Sequence, residues 1–163
     1  MHHNHDRDNN EIDEETYQDF ISNVFIDRKE TEEQRLKEYG RCEECNEINA
    51  RDKWCISCNA AHFRKDFNKW TSGNNEIDSF IQNTQIHALN NWLVLEWYPW
   101  STFSEIEEIG KGAYGTVFRA KTKVGRIKTW DHQSNQCSRE YTSDSSYVAL
   151  KTMGSKDFMN EVI

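Results

Sequence analysis

The chain has 163 residues, of which 36% are hydrophobic and 12% aromatic, and its formal net charge is −8. The hydrophobic share is lower than the roughly 45–50% of an average globular protein, which argues against one core spanning the whole chain. The aromatic share argues against wholesale disorder, because disordered chains contain few aromatic residues. We therefore expect small ordered units joined by polar segments.

The negative charge is local. Residues 1–40 carry 12 acidic and 5 basic side chains, whereas residues 41–72 carry 5 and 6. A protein that binds nucleic acid without sequence preference needs a basic face, so this charge pattern argues against a nucleic-acid partner. No apolar stretch is long enough for a membrane span, and the polar start is not a signal peptide. These features predict an intracellular, cytoplasmic protein, whose cysteines favour metal binding over disulfides.

The polar composition of residues 1–11 predicts a disordered N-terminal tail. Three histidines in it, His2, His3 and His5, could chelate a metal weakly. Residues 12–39 predict an acidic helical segment that ends at Gly40. Its apolar side chains recur every three or four positions, at Tyr17, Phe20, Ile21, Val24 and Phe25. This stripe would bury either against the next module or against a protein partner.

Four of the five cysteines form two C-x-x-C pairs, Cys42/Cys45 and Cys55/Cys58, with nine residues between them. Two thiolates on a tight turn can reach one ion, and two such turns complete a tetrahedral site. Asn46 and Asn59 each follow a pair and tolerate turn conformations. The pattern predicts structural zinc in a module over residues 40–72 that includes a trailing helix. An iron–sulfur site and coincidental core cysteines are the alternatives, and Cys137 is predicted to be an ordinary free thiol in a polar loop.

Residues 73–102 predict a further helix and a linker. Ile77, Phe80, Ile81 and Thr84 share one face of this helix. The aromatic stretch after it is interrupted by Pro99, which places a candidate domain boundary near residues 98–102.

A glycine-rich motif lies near the C-terminus. Residues 109–117 read I-G-K-G-A-Y-G-T-V, which has the form G-x-G-x-x-G-x-V. Dinucleotide-binding proteins use a similar motif, but there a helix follows the glycines. Here the following residues are strand formers, so the glycines are predicted to lie in a hairpin between two strands. Further along, residues 148–151 read V-A-L-K.

In this order the two motifs resemble the start of the small lobe of eukaryotic-type protein kinases, over residues 103–163. The resemblance implies that Gly110, Gly112 and Gly115 cradle the phosphates of ATP bound with Mg²⁺. It also implies that Ile109 and Val117 contact the adenine, and that Lys151 holds the α- and β-phosphates with Glu161 as its ion-pair partner. Residues 121–147 would be an insertion between two strands of the lobe, and their polar composition predicts an exposed loop.

The sequence thus predicts an α+β protein in which a helical segment and a Cys₄ zinc module precede an incomplete kinase small lobe. The 163 residues contain neither an H-R-D-x-x-x-x-N nor a D-F-G motif, so we expect this chain alone to be inactive as a kinase. Two other functions are open. One is a zinc-dependent protein-interaction module with a vestigial kinase remnant, and the other is a nucleic-acid-binding zinc ribbon.

Overall fold

The computed structural model describes residues 30–112, 115–140 and 146–152. The histidine tail, the apolar stripe of residues 12–29 and Glu161 lie outside the described residues. The elements below belong to one compact unit, Glu32–Ile163. They comprise helices and antiparallel sheets, which confirms the predicted α+β class. In the described part of the chain, no helix is both long and apolar enough to cross a membrane.

Within the described residues, the α-helices are α1 (Glu32–Tyr39), α2 (Ile56–Arg64) and α3 (Asn75–His87). Helix α1 ends where predicted, because Gly40 adopts φ +66° and donates its N–H to the Leu36 carbonyl at 3.1 Å. Helix α3 starts after Asn74, whose side chain accepts hydrogen bonds from two backbone N–H groups of the first turn. Short 3₁₀ turns occur at Phe67–Lys69, Asn91–Leu93 and Trp100–Thr102.

A small hydrophobic core joins parts of the chain that are distant in sequence. Helix α2 packs against α3, and a cluster of buried residues lies beside them, formed by Trp54, Phe63, Ala88, Val94 and Ile127. Because this core is small, each of its larger side chains contributes a substantial share of the buried apolar area.

The strands in the part of the chain that the structure describes form two separate antiparallel sheets. One has three strands in the order β1 (Phe103–Gly112), β2 (Gly115–Thr122) and β5 (Ser146–Lys151), and the other pairs β3 (Ile127–Asp131) with β4 (Gln136–Arg139). Strand β1 is exposed along almost its whole length. The glycine-rich motif therefore lies at an open hairpin between β1 and β2.

The structure differs from the prediction of an exposed loop over residues 121–147. The β3–β4 hairpin lies within this segment, and Ile127 at its start is only 4% exposed. The polar composition was misleading because a short hairpin that buries few side chains needs few apolar residues. The base of the hairpin is closed by Glu140, which donates its N–H to the Arg126 carbonyl at 2.9 Å.

Gly125 is expected to be essential for the base of this hairpin. A Cβ atom there would lie 1.5 Å from the Glu140 carbonyl oxygen, so the backbone itself would have to move. We expect Gly125→Ala to destabilise the protein by about 1–3 kcal/mol, as overpacking typically does. Gly112→Ala is the matched control, because nothing lies within 4 Å of a Cβ at that position. Urea unfolding should separate the two variants, and equal stability would contradict the predicted clash.

Candidate metal centre

The first pair of cysteines lies on a tight turn after α1. Cys42 donates its N–H to the Glu47 carbonyl at 2.8 Å, and its own carbonyl accepts a bond from Asn46 N–H at 3.0 Å. Asn46 has φ +65°, as expected for an asparagine that completes a turn. This turn brings the Cys42 and Cys45 thiols to the same side of the backbone.

The second pair is set by the start of helix α2. Cys55 is the residue before the helix, in extended conformation, and Cys58 lies in its first turn. A tight turn precedes the pair, in which Trp54 N–H donates to the Arg51 carbonyl at 3.0 Å. Asn59 is not in a turn, contrary to the prediction. It is buried in α2, and its side-chain amide donates to the Cys55 carbonyl at 2.8 Å.

The four sulfur atoms form one compact cluster. All lie within 4.8 Å of one another, with Cys42 Sγ 3.7 Å from Cys58 Sγ and Cys45 Sγ 3.6 Å from Cys55 Sγ. A tetrahedral ion with zinc–sulfur bonds of about 2.3 Å places its ligands about 3.8 Å apart. The cluster therefore has the size of a tetrahedral four-thiolate site and is consistent with structural zinc.

The electrostatics of the cluster favour a bound cation. Desolvation raises the pKa of the Cys55 thiol to about 11. Desolvation and the neighbouring thiols also raise the pKa of Cys58, whereas a hydrogen bond from the Glu47 backbone N–H lowers the pKa of Cys45. Thiolates crowded in this way repel one another unless a cation neutralises them. A metal ion must displace protons from the thiols whose pKa is raised, so the affinity for the metal should fall as the pH falls.

Side chains around the cysteines support the first turn. Glu44 donates its backbone N–H to Cys42 Sγ at 3.4 Å, and its carboxylate lies 2.8 Å from Nε2 of His62. The hydrogen bond to His62 is the main cause that lowers the pKa of Glu44. His62 is buried and stacks on Trp130 of β3, with ring centroids 3.6 Å apart and planes 5° apart. Glu44, His62 and Trp130 were not predicted from the sequence as neighbours of the cysteines, although His62 follows Cys58 by four residues, about one helical turn.

Cys137 is a free thiol, as predicted, but it does not lie in a loop. It lies on β4 and packs against the core cluster, where burial raises its pKa to about 11. At neutral pH it is therefore a protonated, poorly nucleophilic thiol.

The predicted nucleotide-binding residues lie on neighbouring strands. Gly110 on β1 is paired with Val117 on β2, and Val117 is paired with Lys151 on β5. Directly opposed residues of an antiparallel sheet share a face, so the Val117 and Lys151 side chains lie on the same face. Ile109 is 58% exposed. The tip of the hairpin, residues 113 and 114, lies outside the described residues.

The three glycines of the motif differ in their surroundings. A Cβ at Gly110 or Gly112 would meet nothing within 4 Å. Gly115 has φ +115°, and a Cβ there would lie 2.0 Å from the Thr152 carbonyl oxygen. Only Gly115 is thus required by the backbone itself. The open space beside Gly110 and Gly112 would let a ligand approach the main chain.

No protein-family model matches the sequence, and no curated protein or solved structure matches it either. The resemblance to protein kinases therefore rests on the motifs quoted above. The four-cysteine cluster rests on its own geometry.

Proposed function

We propose that residues 103–152 form the nucleotide-binding strands of a protein kinase small lobe and that the four cysteines hold a structural zinc ion beside them. The observation that carries the proposal is the cross-strand row Gly110–Val117–Lys151. Sequence motifs alone do not determine register. In this sheet the register aligns a glycine, an apolar side chain and a lysine. The glycine and the lysine suit contacts to phosphates, and the apolar side chain suits a contact to the base.

The chemistry of the row is suited to a polyphosphate. Lys151 is exposed, and its ammonium group is a charged donor of the kind that binds phosphate oxygens. Backbone N–H groups of the glycine hairpin can approach phosphate oxygens closely, because Gly110 and Gly112 have no side chains. Val117 on the same face offers an apolar surface for a base. Glu161, the proposed partner of Lys151, would orient the ammonium group.

Magnesium and phosphoryl transfer require more than these strands. In kinases, Mg²⁺ is held by the aspartate of D-F-G and by an asparagine of the catalytic loop. Neither motif occurs among the 163 residues. The activity proposed for these residues is therefore nucleotide binding, and protein phosphorylation is proposed only for a form of the protein that also carries the catalytic loops.

Lys151 should dominate nucleotide affinity. We expect the chain to bind ATP in the presence of Mg²⁺ and the Lys151→Ala variant to bind it about 10–100-fold more weakly, the effect of losing a charge-assisted hydrogen bond of about 1.5–3 kcal/mol. Isothermal titration of each protein with ATP measures this difference. Lys128→Ala removes an exposed lysine from β3, away from the row, and is the matched control.

Two outcomes would contradict the proposal. One is no measurable ATP binding by a chain that has its metal and its fold, which would favour the zinc-dependent interaction module instead. The other is equal affinity of the Lys151→Ala variant and the unmodified chain, which would place the nucleotide elsewhere.

A further inference from the structure

The β3–β4 hairpin contacts both cysteine-bearing turns. Thr129 Oγ1 donates to the Lys53 carbonyl at 3.1 Å, two residues before Cys55. Trp130 stacks on His62, which holds the Glu44 carboxylate of the first turn. These contacts join residues that are about 70 positions apart in sequence, so they form only when the cysteine turns are folded.

The buried side of the hairpin is completed by residues outside it. Ile127 belongs to the core cluster around Trp54, and Cys137 packs against that cluster. The Ile127 backbone is also held from outside, since its N–H donates to Glu96 Oε1 at 3.1 Å and its carbonyl accepts from Asn91 Nδ2 at 3.1 Å. An isolated two-stranded hairpin is marginally stable in water, so this one depends on the surface it packs against.

A partly buried ion pair fixes the end of the same hairpin. Arg139 Nη1 lies 2.7 Å from Glu96 Oε2, and the Glu96 side chain is only 9% exposed. Arg139 also donates to the Gly125 carbonyl at 2.8 Å. The hairpin is thus anchored to the helical part of the molecule at both of its strands.

The hairpin is also the connection between β2 and β5. Strand β2 enters it after Thr122, and β5 begins at Ser146. When the hairpin is ordered, fewer residues of the connection between β2 and β5 are free to move. The entropic cost of pairing these two strands is then lower than with a long unstructured connection. The order of the hairpin therefore bears on the stability of the β2–β5 pairing, which carries Val117 and Lys151.

We infer that metal occupancy of the four cysteines orders the β3–β4 hairpin and, through it, stabilises the pairing of β2 with β5. The metal folds the cysteine-bearing segment, which supplies Lys53 and His62 as contacts for the hairpin. The ordered hairpin in turn reduces the number of freely moving residues between β2 and β5. ATP affinity will then also depend on the metal, a consequence that rests on the proposed nucleotide-binding function.

Hydrogen exchange measures this coupling without any nucleotide. The full chain is compared with zinc bound and after chelation, and the exchange of backbone amides is followed in residues 127–139 and 146–151. We expect chelation to raise exchange roughly tenfold or more in residues 127–139, which lose their packing surface, and roughly threefold in residues 146–151, which are affected only through the longer unrestricted connection. Unchanged exchange in these segments, with the metal removed, would overturn the inference.

A variant that keeps the cysteines distinguishes coupling from general unfolding. The double variant Thr129→Val with Trp130→Ala removes the hydrogen bond to Lys53 and the stacking on His62, leaves the 3.9 Å ion pair of His132 with Glu44, and removes no sulfur ligand. We expect it to retain one zinc ion per chain while its hairpin exchanges rapidly even with zinc bound. Trp100→Ala, which truncates a tryptophan that is 62% exposed on a different segment, is the control and should keep the protection. Full protection of the hairpin in the double variant would overturn the inference.

The two proposals fail in different ways. Metal-dependent exchange together with absent ATP binding would contradict only the nucleotide-binding function. ATP binding together with metal-independent exchange would contradict only the coupling.

Discussion

Removing the metal from the four-cysteine cluster is expected to abolish the cooperative thermal unfolding of this protein. Structural zinc binds comparable four-ligand peptides with an apparent free energy of about 10–16 kcal/mol at neutral pH, which equals or exceeds the total stability of a typical domain, about 5–15 kcal/mol. Apart from the cysteines, residues 41–58 bury two apolar side chains, Ala50 and Trp54, so the metal would supply much of the free energy that holds this segment folded. Helix α2 and Trp54 are directly continuous with these turns and should lose their packing with them.

Chelation of the metal and substitution of a cysteine should have the same effect on the unfolding transition. Circular dichroism of the chain with and without chelator, and of Cys42→Ser and Cys58→Ser, should show a broad, non-cooperative transition whenever the metal is absent. Elemental analysis should find one zinc per chain in the unmodified protein and less in the variants. Cys137→Ser is the matched control, because Cys137 is not one of the four clustered cysteines. A cooperative transition that persists after complete removal of the metal would disprove a structural role for the ion.

Truncating Trp54 is expected to be the most damaging substitution outside the cysteines. Trp54 is 1% exposed and is the one side chain among the described residues that is both large and fully buried. Its Nε1 donates to the Ala88 carbonyl at 2.8 Å, and its ring lies beside Phe63, with centroids 6.4 Å apart. We expect Trp54→Ala to cost about 3–5 kcal/mol, because the cavity lies in a small core that has few other side chains to fill it.

Trp54→Phe separates the two contributions of this side chain. It keeps much of the apolar surface but leaves the Ala88 carbonyl without its donor, so we expect a smaller loss of about 1–3 kcal/mol. Urea unfolding with zinc in excess measures both values, and excess zinc prevents metal loss from being mistaken for a packing effect. Trp100→Ala serves again as the exposed control and should cost less than about 1 kcal/mol. A loss of unfolding free energy in Trp54→Ala no larger than that in Trp100→Ala would contradict the packing of Trp54 in the core.

The four-cysteine cluster could be predicted from the sequence because its geometry is almost entirely local. Within each pair, three residues of turn or first-turn helix bring the sulfurs together, and only nine residues separate the pairs. The glycine-rich hairpin is local for the same reason. A short turn between two strand-forming segments sets the β1–β2 pairing, and Gly115 is required there because its backbone has φ +115°.

The β3–β4 hairpin could not be predicted in this way. Its strands are short and polar, and the residues that give them a buried side come from elsewhere in the chain, such as Trp54 and Glu96. Local patterns of hydrophobicity do not reveal a segment whose apolar partners are so remote in sequence. Asn59 was misassigned for a related reason, since the same residue type can complete a turn or bond to a helix carbonyl.

The sequence by itself thus determined that four cysteines can form one cluster and that the glycine-rich motif forms a hairpin, because residue type and short spacing decide both. Only the tertiary structure decided that the metal-binding turns and the connection between β2 and β5 are in contact. That contact depends on Thr129, Trp130 and Ile127 meeting residues far earlier in the chain. Such pairings arise from the packing of complementary surfaces, which no local pattern in the sequence records.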